Sequence, residues 1–235
     1  MTTFGFYDLI EAFGQGGCPV CRLLKRDVAK QLDSILYEFV LDQKIQRHFR
    51  DSKGLCSEHG HLLTQQGNAL GIASLYFAVL YDLDESLGST AAGEGGGRSR
   101  LRSYRGRGGA ALANALEPTR PCMTCQMRDE SEARYLTILA EGIHDPRLIA
   151  AYDGSDGLCL PHFRGLLRAL PNAETVTRVT RIQAGIWTRL KEELEEFMRK
   201  SDFHNKDERI GAEGDSWRRA VERISGEGGA FSSRG

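Results

Sequence analysis

The sequence predicts an all-α protein made of a duplicated helical unit, each copy carrying a CxxC…CxxH metal site at helix N-termini. Three observations carry this. Apolar residues recur at the three-and-four spacing of amphipathic helices, and no convincing alternating strand is found. The pattern Gly-Leu-Cys-x-x-His occurs twice, as Gly54-Leu-Cys56-Ser-Glu-His59 and Gly157-Leu-Cys159-Leu-Pro-His162. Each copy follows a CxxC pair, Cys18-Pro-Val-Cys21 and Cys122-Met-Thr-Cys125, with 34 residues between Cys21 and Cys56 and 33 between Cys125 and Cys159. In that register Leu32 matches Leu136, Asp42 matches Asp145, Phe49 falls opposite Tyr152, and Ser52 matches Ser155. A self-similar period of this kind marks one supersecondary unit used twice.

The elements follow in order. Short apolar helices precede each CxxC, around Tyr7–Phe13 and Ala110–Leu116. After Cys21, a stripe of Leu24, Val28, Leu32, Ile35, Leu36, Phe39 and Val40 predicts a long amphipathic helix, followed by a short helix over Gln43–Arg50 and a turn at Asp51–Gly54. A helix restarts near Cys56, and Gly67-Asn68 breaks or kinks it before a strongly apolar helix over Ala69–Leu87. In the second half Leu136, Leu139, Ala140 and Ile143 mark the helix after Cys125. The last long helix opens at Asn172, a good N-cap, and runs through Val176, Ile186 and Phe197. A short helix at Asp215–Val221 is expected to be docked by Trp217, with the final Gly/Ser-rich residues disordered.

The organisation expected is therefore a first metal-binding unit at 1–87, a linker at 88–109, a second unit at 110–200 and a tail at 201–235. The linker is dominated by glycine, serine and arginine, a composition that buries no core. It holds Arg98, Arg100, Arg102, Arg105 and Arg107 around Tyr104, a weak signal for single-stranded nucleic acid. A formal net charge of -1 gives that signal no support, and a flexible tether is the preferred reading. No apolar run reaches membrane-spanning length. The segment Met1–Asp8 has neither the basic start nor the apolar stretch of a signal peptide, so a cytoplasmic address is expected.

In a reducing compartment six cysteines do not read as three structural disulfides. Their spacing reads instead as metal ligation. Two cysteines three apart at a helix start direct both sulfurs to one point, and Cys-x-x-His does the same because positions i and i+3 share a face. One CxxC with one CxxH supplies three thiolates and an imidazole, a closed shell that favours Zn2+, two per chain. An iron–sulfur cluster with one histidine ligand is the weaker alternative. Three thiolates on a divalent ion leave a negative centre, which backbone N–H groups at helix N-termini stabilise. Pairing Cys18, Cys21, Cys56 and His59 within the first unit, and Cys122, Cys125, Cys159 and His162 within the second, is the simplest scheme. Crossed pairing, Cys18 and Cys21 with Cys159 and His162, satisfies the ligand count equally well.

Competing chemistries find less support. A thioredoxin-like use of Cys18 and Cys21 needs a preceding strand. A catalytic metal needs an open position. His61 points away from His59 on a helix, while His48, His144 and His204 are isolated, and Glu58 reads as a solvated first-turn acid. No catalytic triad order, phosphate loop or dinucleotide fingerprint occurs. The functional expectation is a zinc-binding helical scaffold acting through a protein partner. The alternative is a thiol-redox sensor or metal-handling protein using the same cysteines, and a third possibility is an enzyme at a pocket between the units.

These motifs resemble a family of uncharacterised prokaryotic proteins grouped only as a domain of unknown function. The resemblance spans roughly Phe6–Ala220 and includes Cys18-Pro-Val-Cys21, Gly54-Leu-Cys56-Ser-Glu-His59, Phe197-Met-Arg-Lys-Ser-Asp-Phe203 and Gly214-Asp-Ser-Trp217-Arg-Arg. It implies an all-helical, metal-binding, cytoplasmic protein of prokaryotic origin and brings no known reaction. Some members carry a transporter substrate-binding label, which this chain, without signal peptide or α/β lobes, does not support. Cys122-Met-Thr-Cys125 lacks the proline of the first motif but keeps both ligands.

Overall fold

A computed structural model of the chain describes residues 4–91, 108–205 and 207–231. The linker arginines from Arg98 to Arg107, Tyr104 and residues 232–235 lie outside the described residues. Among the described residues there are helices and no strands. In chain order they are α1 (Phe4–Phe13), α2 (Pro19–Tyr37), α3 (Gln43–Asp51), α4 (Ser57–Thr64), α5 (Ala69–Ala91), α6 (Gly108–Leu116), α7 (Met123–Gly142), α8 (Pro146–Asp153), α9 (Leu160–Ala169), α10 (Ala173–Ser201) and α11 (Ser216–Ser225). Short 3-10 turns at Phe203–Asn205 and Ala212–Asp215 join the last two.

Local chemistry sets the boundaries. The Asp42 carboxylate caps α3 by accepting from the N–H groups of Lys44 and Ile45 at 2.8 and 3.0 Å. Asp145 caps α8 by accepting from Arg147 N–H at 2.9 Å, with Pro146 at the first helical position where its missing N–H costs nothing. Asn172 caps α10 through Thr175 N–H, and Asn68 caps α5 through Gly71 N–H at 2.9 Å. Gly67, at φ +82°, gives the chain the left-handed step that separates α4 from α5. Of the pairs matched in the sequence register, Asp42 and Asp145 both cap helices, whereas Leu32 is fully buried and Leu136 only partly. Phe49 and Tyr152 are both fully buried, and the Ser52 and Ser155 hydroxyls both donate to carbonyls of the preceding turn.

Two compact units form. The first contains residues 1–27 and 129–235, the second residues 28–128. Each draws on both halves of the chain, because α2 and α7 both cross a unit boundary. The first unit's core includes Leu9, Phe13, Leu24, Leu139, Ile143, Leu148, Tyr152, Leu166 and Val179. Tyr152 stacks on Phe13 with ring centroids 5.0 Å apart and donates to Gln183 Oε1 at 2.6 Å. The same oxygen accepts from Leu158 N–H at 3.1 Å, while Gln183 Nε2 donates to Leu158 O at 3.2 Å. The glutamine thereby fixes the backbone just before Cys159. The second unit has a smaller core of Val28, Leu32, Ile35, Leu36, Phe49, Leu63, Leu75, Val79 and Met123.

The segment after α10 departs from expectation. Trp217 is half exposed and does not dock α11. Buried Arg223, paired with Asp156 at 3.2 Å, and Arg219, paired with Glu193 and Asp215, hold the helix instead. In the stretch beyond α11, Ala230 is buried in the first unit's core and Phe231 packs against it.

Candidate metal centres

The six cysteines and two of the histidines fall into two clusters, each with three Cys Sγ and one His nitrogen within 4.8 Å of one another. The first is Cys18, Cys21, Cys159 and His162; the second is Cys56, His59, Cys122 and Cys125. Both are crossed: a CxxC from one repeat meets the CxxH of the other. The simplest pairing, within each half, is therefore not the one adopted, and helix length is the reason. From Cys21 the remaining residues of α2 carry the chain about 24 Å at 1.5 Å per residue, whereas α3, the helix between α2 and Cys56, is only about 13 Å long. That helix is too short to return the chain over the length of α2.

Every cluster residue sits at a helix start. Cys18 and Cys122 immediately precede α2 and α7, and Cys21 and Cys125 are third in those helices. Cys56 and Cys159 are the N-caps of α4 and α9, with extended backbones and no side-chain capping bond, so their sulfurs remain free to turn inward. The carbonyls of Cys18, Cys56, Cys122 and Cys159 each accept the first helical N–H of their helix, at 2.8–3.1 Å. Before each CxxH, Gly54 at φ +89° and Gly157 at φ +74° make a left-handed turn that L side chains rarely adopt. A Cβ at Gly54 would come within 3.1 Å of the Tyr76 ring, and one at Gly157 within 2.9 Å of Ile186.

In the first cluster, His162 Nδ1 lies 3.4 Å from Cys18 Sγ, 3.4 Å from Cys21 Sγ and 3.1 Å from Cys159 Sγ, with Cys21 and Cys159 sulfurs 3.7 Å apart. In the second, His59 Nδ1 lies 3.3, 3.7 and 3.4 Å from the sulfurs of Cys56, Cys122 and Cys125, and the Cys56–Cys125 separation is 3.6 Å. None of the six is in a disulfide, which would need sulfurs about 2.05 Å apart. An imidazole Nδ1 has one proton or one lone pair and serves one sulfur at a time. Here it faces three. A cation at the centre of the four atoms satisfies all of them at once, so each cluster could hold a metal ion.

Protonation tells the same story. Burial opposes a charged Cys18, but hydrogen bonds from Cys159, Cys21 and His162 outweigh it and hold that thiol well below its usual range. Cys21 is driven up by hydrogen bonds to Cys159 and Cys18 and by burial. His162 is raised to about 10, the thiols overcoming burial. In the second cluster Cys122 is lowered to about 6: burial works against it, and His59 together with backbone N–H groups of Cys56, Cys125 and Thr124 prevails. Cys125 is pushed up by burial and by the charge on Cys122. Neighbouring thiols resist ionising together, and a central cation removes that conflict.

The clusters differ in exposure. All four residues of the first are fully buried, whereas Cys56, Cys122 and Cys125 are partly exposed around a buried His59. Residues distant in sequence seal the first. Glu227 accepts from Cys18 N–H and Asp156 from Gly17 N–H, both at 3.0 Å, on the backbone that leads into α2. Phe231 lies on the His162 ring, centroids 4.8 Å apart, and Glu132 Oε1 lies 3.6 Å from His162 Nε2. Nothing in the cysteine pattern points to Glu227 or Phe231. His61, His48, His144 and His204 join neither cluster. The second unit also has an open cavity of about 500 Å³ beside Gln43, Arg47 and the Arg50–Asp82 ion pair, and no cluster residue lines it.

Fold and clusters define an all-helical protein with two sites, each of three cysteines and one histidine, able to hold a metal ion. The chain belongs to the Family of unknown function (DUF6062), whose model matches residues 6–230. No curated protein and no solved structure matches it. No helix among the described residues is long and apolar enough to cross a membrane.

Proposed function

We propose that the protein is a zinc-binding helical scaffold with two closed Cys3His sites, one in each compact unit, acting through a protein partner in a reducing compartment. One observation carries the choice of metal. With Zn–S of about 2.3 Å and Zn–N of about 2.0–2.1 Å, a tetrahedral site has S···S edges of about 3.8 Å and S···N edges of about 3.5–3.6 Å. The separations in the two clusters are 3.6–3.7 Å and 3.1–3.7 Å. Cys18, Cys21, Cys159 and His162 would hold one ion, and Cys56, His59, Cys122 and Cys125 the other. Zinc bound this way cross-links helix starts and supplies no open coordination position. The sequence repeat, 1–87 and 110–200, is then a duplication whose halves exchanged ligand pairs. Elemental analysis of protein purified without added metal should find about two zinc per chain. Iron with sulfide, or six titratable thiols and no metal, would overturn the reading.

The partly exposed thiols of the second cluster favour a second reading, confined to that site: metal handling or oxidation sensing. Thiolates reach an oxidant or a competing chelator according to exposure. Under a dilute peroxide or a colorimetric chelator, one zinc equivalent should leave at least tenfold faster than the other. A Cys125→Ser variant should lack the fast phase. Two equivalents leaving together would remove this reading and leave the structural one.

A further inference from the structure

A short segment rich in glycine has little tendency of its own to stay on a protein surface. Residues 226–231, Gly-Glu-Gly-Gly-Ala-Phe, are nevertheless tied to the first unit at three points, two of them on residues of the first cluster. One oxygen of Glu227 accepts from Cys18 N–H at 3.0 Å, and the other takes Lys25 Nζ at 3.0 Å. Ala230 is buried in the core. The Phe231 ring lies on the His162 ring, with centroids 4.8 Å apart. Between these points the backbone turns through Gly226 and Gly229, at φ +84° and +80°, and Ala230 N–H donates to Glu227 O at 3.1 Å. A Cβ at Gly17 would collide with the Glu227 carboxylate, and one at Gly226 with the Phe231 ring, so glycine permits both approaches. Cys18, Cys21, Cys159 and His162 have no exposed surface.

We infer that residues 226–231 are a latch on the first cluster, whose local opening admits a competing chelator or an incoming metal ion to Cys18, Cys21, Cys159 and His162. This names the regulation of a site proposed above and rests on that reading for the metal. The latch is held by one carboxylate, one methyl group and one ring, whereas the unit beneath it is held by packed helices. A segment with so few attachments opens at lower cost than the unit unfolds. Its glycines absorb the backbone rotation that opening needs. Arg223, buried and paired with Asp156 at 3.2 Å, keeps α11 docked while the segment beyond it lifts.

Thiol labelling of the full chain tests this. The protein is exposed to excess chelator and a maleimide, the rate at each cysteine is read by peptide mass spectrometry, and zinc is measured on the same samples. Phe231→Ala should speed labelling of Cys18, Cys21 and Cys159 on the order of tenfold or more, through loss of the ring's packing on His162. Glu227→Ala should speed it about tenfold, because the carboxylate serves both Cys18 and Lys25. Rates at Cys56, Cys122 and Cys125, and helix content by circular dichroism, should stay as in the wild type. Phe13→Leu weakens the core where Phe13 stacks on Tyr152, and should lower the denaturant midpoint without comparable acceleration. Wild-type rates in both latch variants overturn the inference. So does equal acceleration at all six cysteines, or acceleration by Phe13→Leu that matches theirs, since the site then opens only when the unit unfolds. If Phe231→Ala loses helix, Glu227→Ala decides alone. Protein found to hold no zinc is labelled without chelator: acceleration by the latch variants there sinks the zinc reading and leaves the latch. Zinc-loaded protein indifferent to both variants sinks the latch alone.

Discussion

Stripping the metal is expected to abolish cooperative unfolding in the second unit and to lower the thermal midpoint of the whole chain by tens of degrees. A structural zinc site contributes about 10 kcal/mol or more of apparent binding free energy, and a whole domain is stable by only about 5–15 kcal/mol. The second unit has the smaller core and the more accessible cluster, so it should lose structure first. The first unit, with Tyr152, Phe13 and Gln183 knitting its core, should retain helix longer. Circular dichroism melts with and without a strong chelator at neutral pH, with residual metal measured, are the check. Identical melts in protein shown to contain no metal would remove structural zinc from the account.

The second large effect concerns partners. If the clusters ligate as they are arranged, Cys18→Ser and Cys159→Ser should each lose the same single zinc equivalent. Their double variant should be scarcely worse than either alone, because the site is already lost. Cys18→Ser with Cys56→Ser should lose both equivalents and approach the sum of the single effects, since these residues serve different sites. Pairing within each repeat half predicts the reverse: Cys18 and Cys56 would be redundant, and Cys18 and Cys159 additive. Metal stoichiometry and denaturant midpoints on these five proteins decide between the two, with single-variant losses of several kcal/mol expected.

The helices were legible in the sequence because the signals that make them are local. Asp42, Asp145 and Asn172 sit next to the N–H groups they cap, and the apolar stripes need only their own periodicity. The eight cluster residues were legible for the same reason, since CxxC and CxxH each bring two side chains together within one turn. Their pairing was not, because it depends on how far α2 and α7 carry the chain. Glu227 meets Cys18 across 209 residues, and Phe231 covers His162 without any motif to announce it. Trp217 misled because size suggests burial, whereas Arg223, with an acid to pair with, is the residue that went inside.

The crossing of the clusters also sets an order of events at the ribosome. Cys18, Cys21, Cys56 and His59 are all made before Cys122, so the first full set of three thiols and an imidazole to emerge is a mismatched one. At roughly 5–20 residues per second, several seconds separate His59 from Cys125. During that interval any zinc captured by the nascent chain holds the wrong residues together and must be surrendered before either final cluster can close. Synthesis in excess zinc should therefore trap more misassembled chain than refolding of the finished polypeptide with the metal added last.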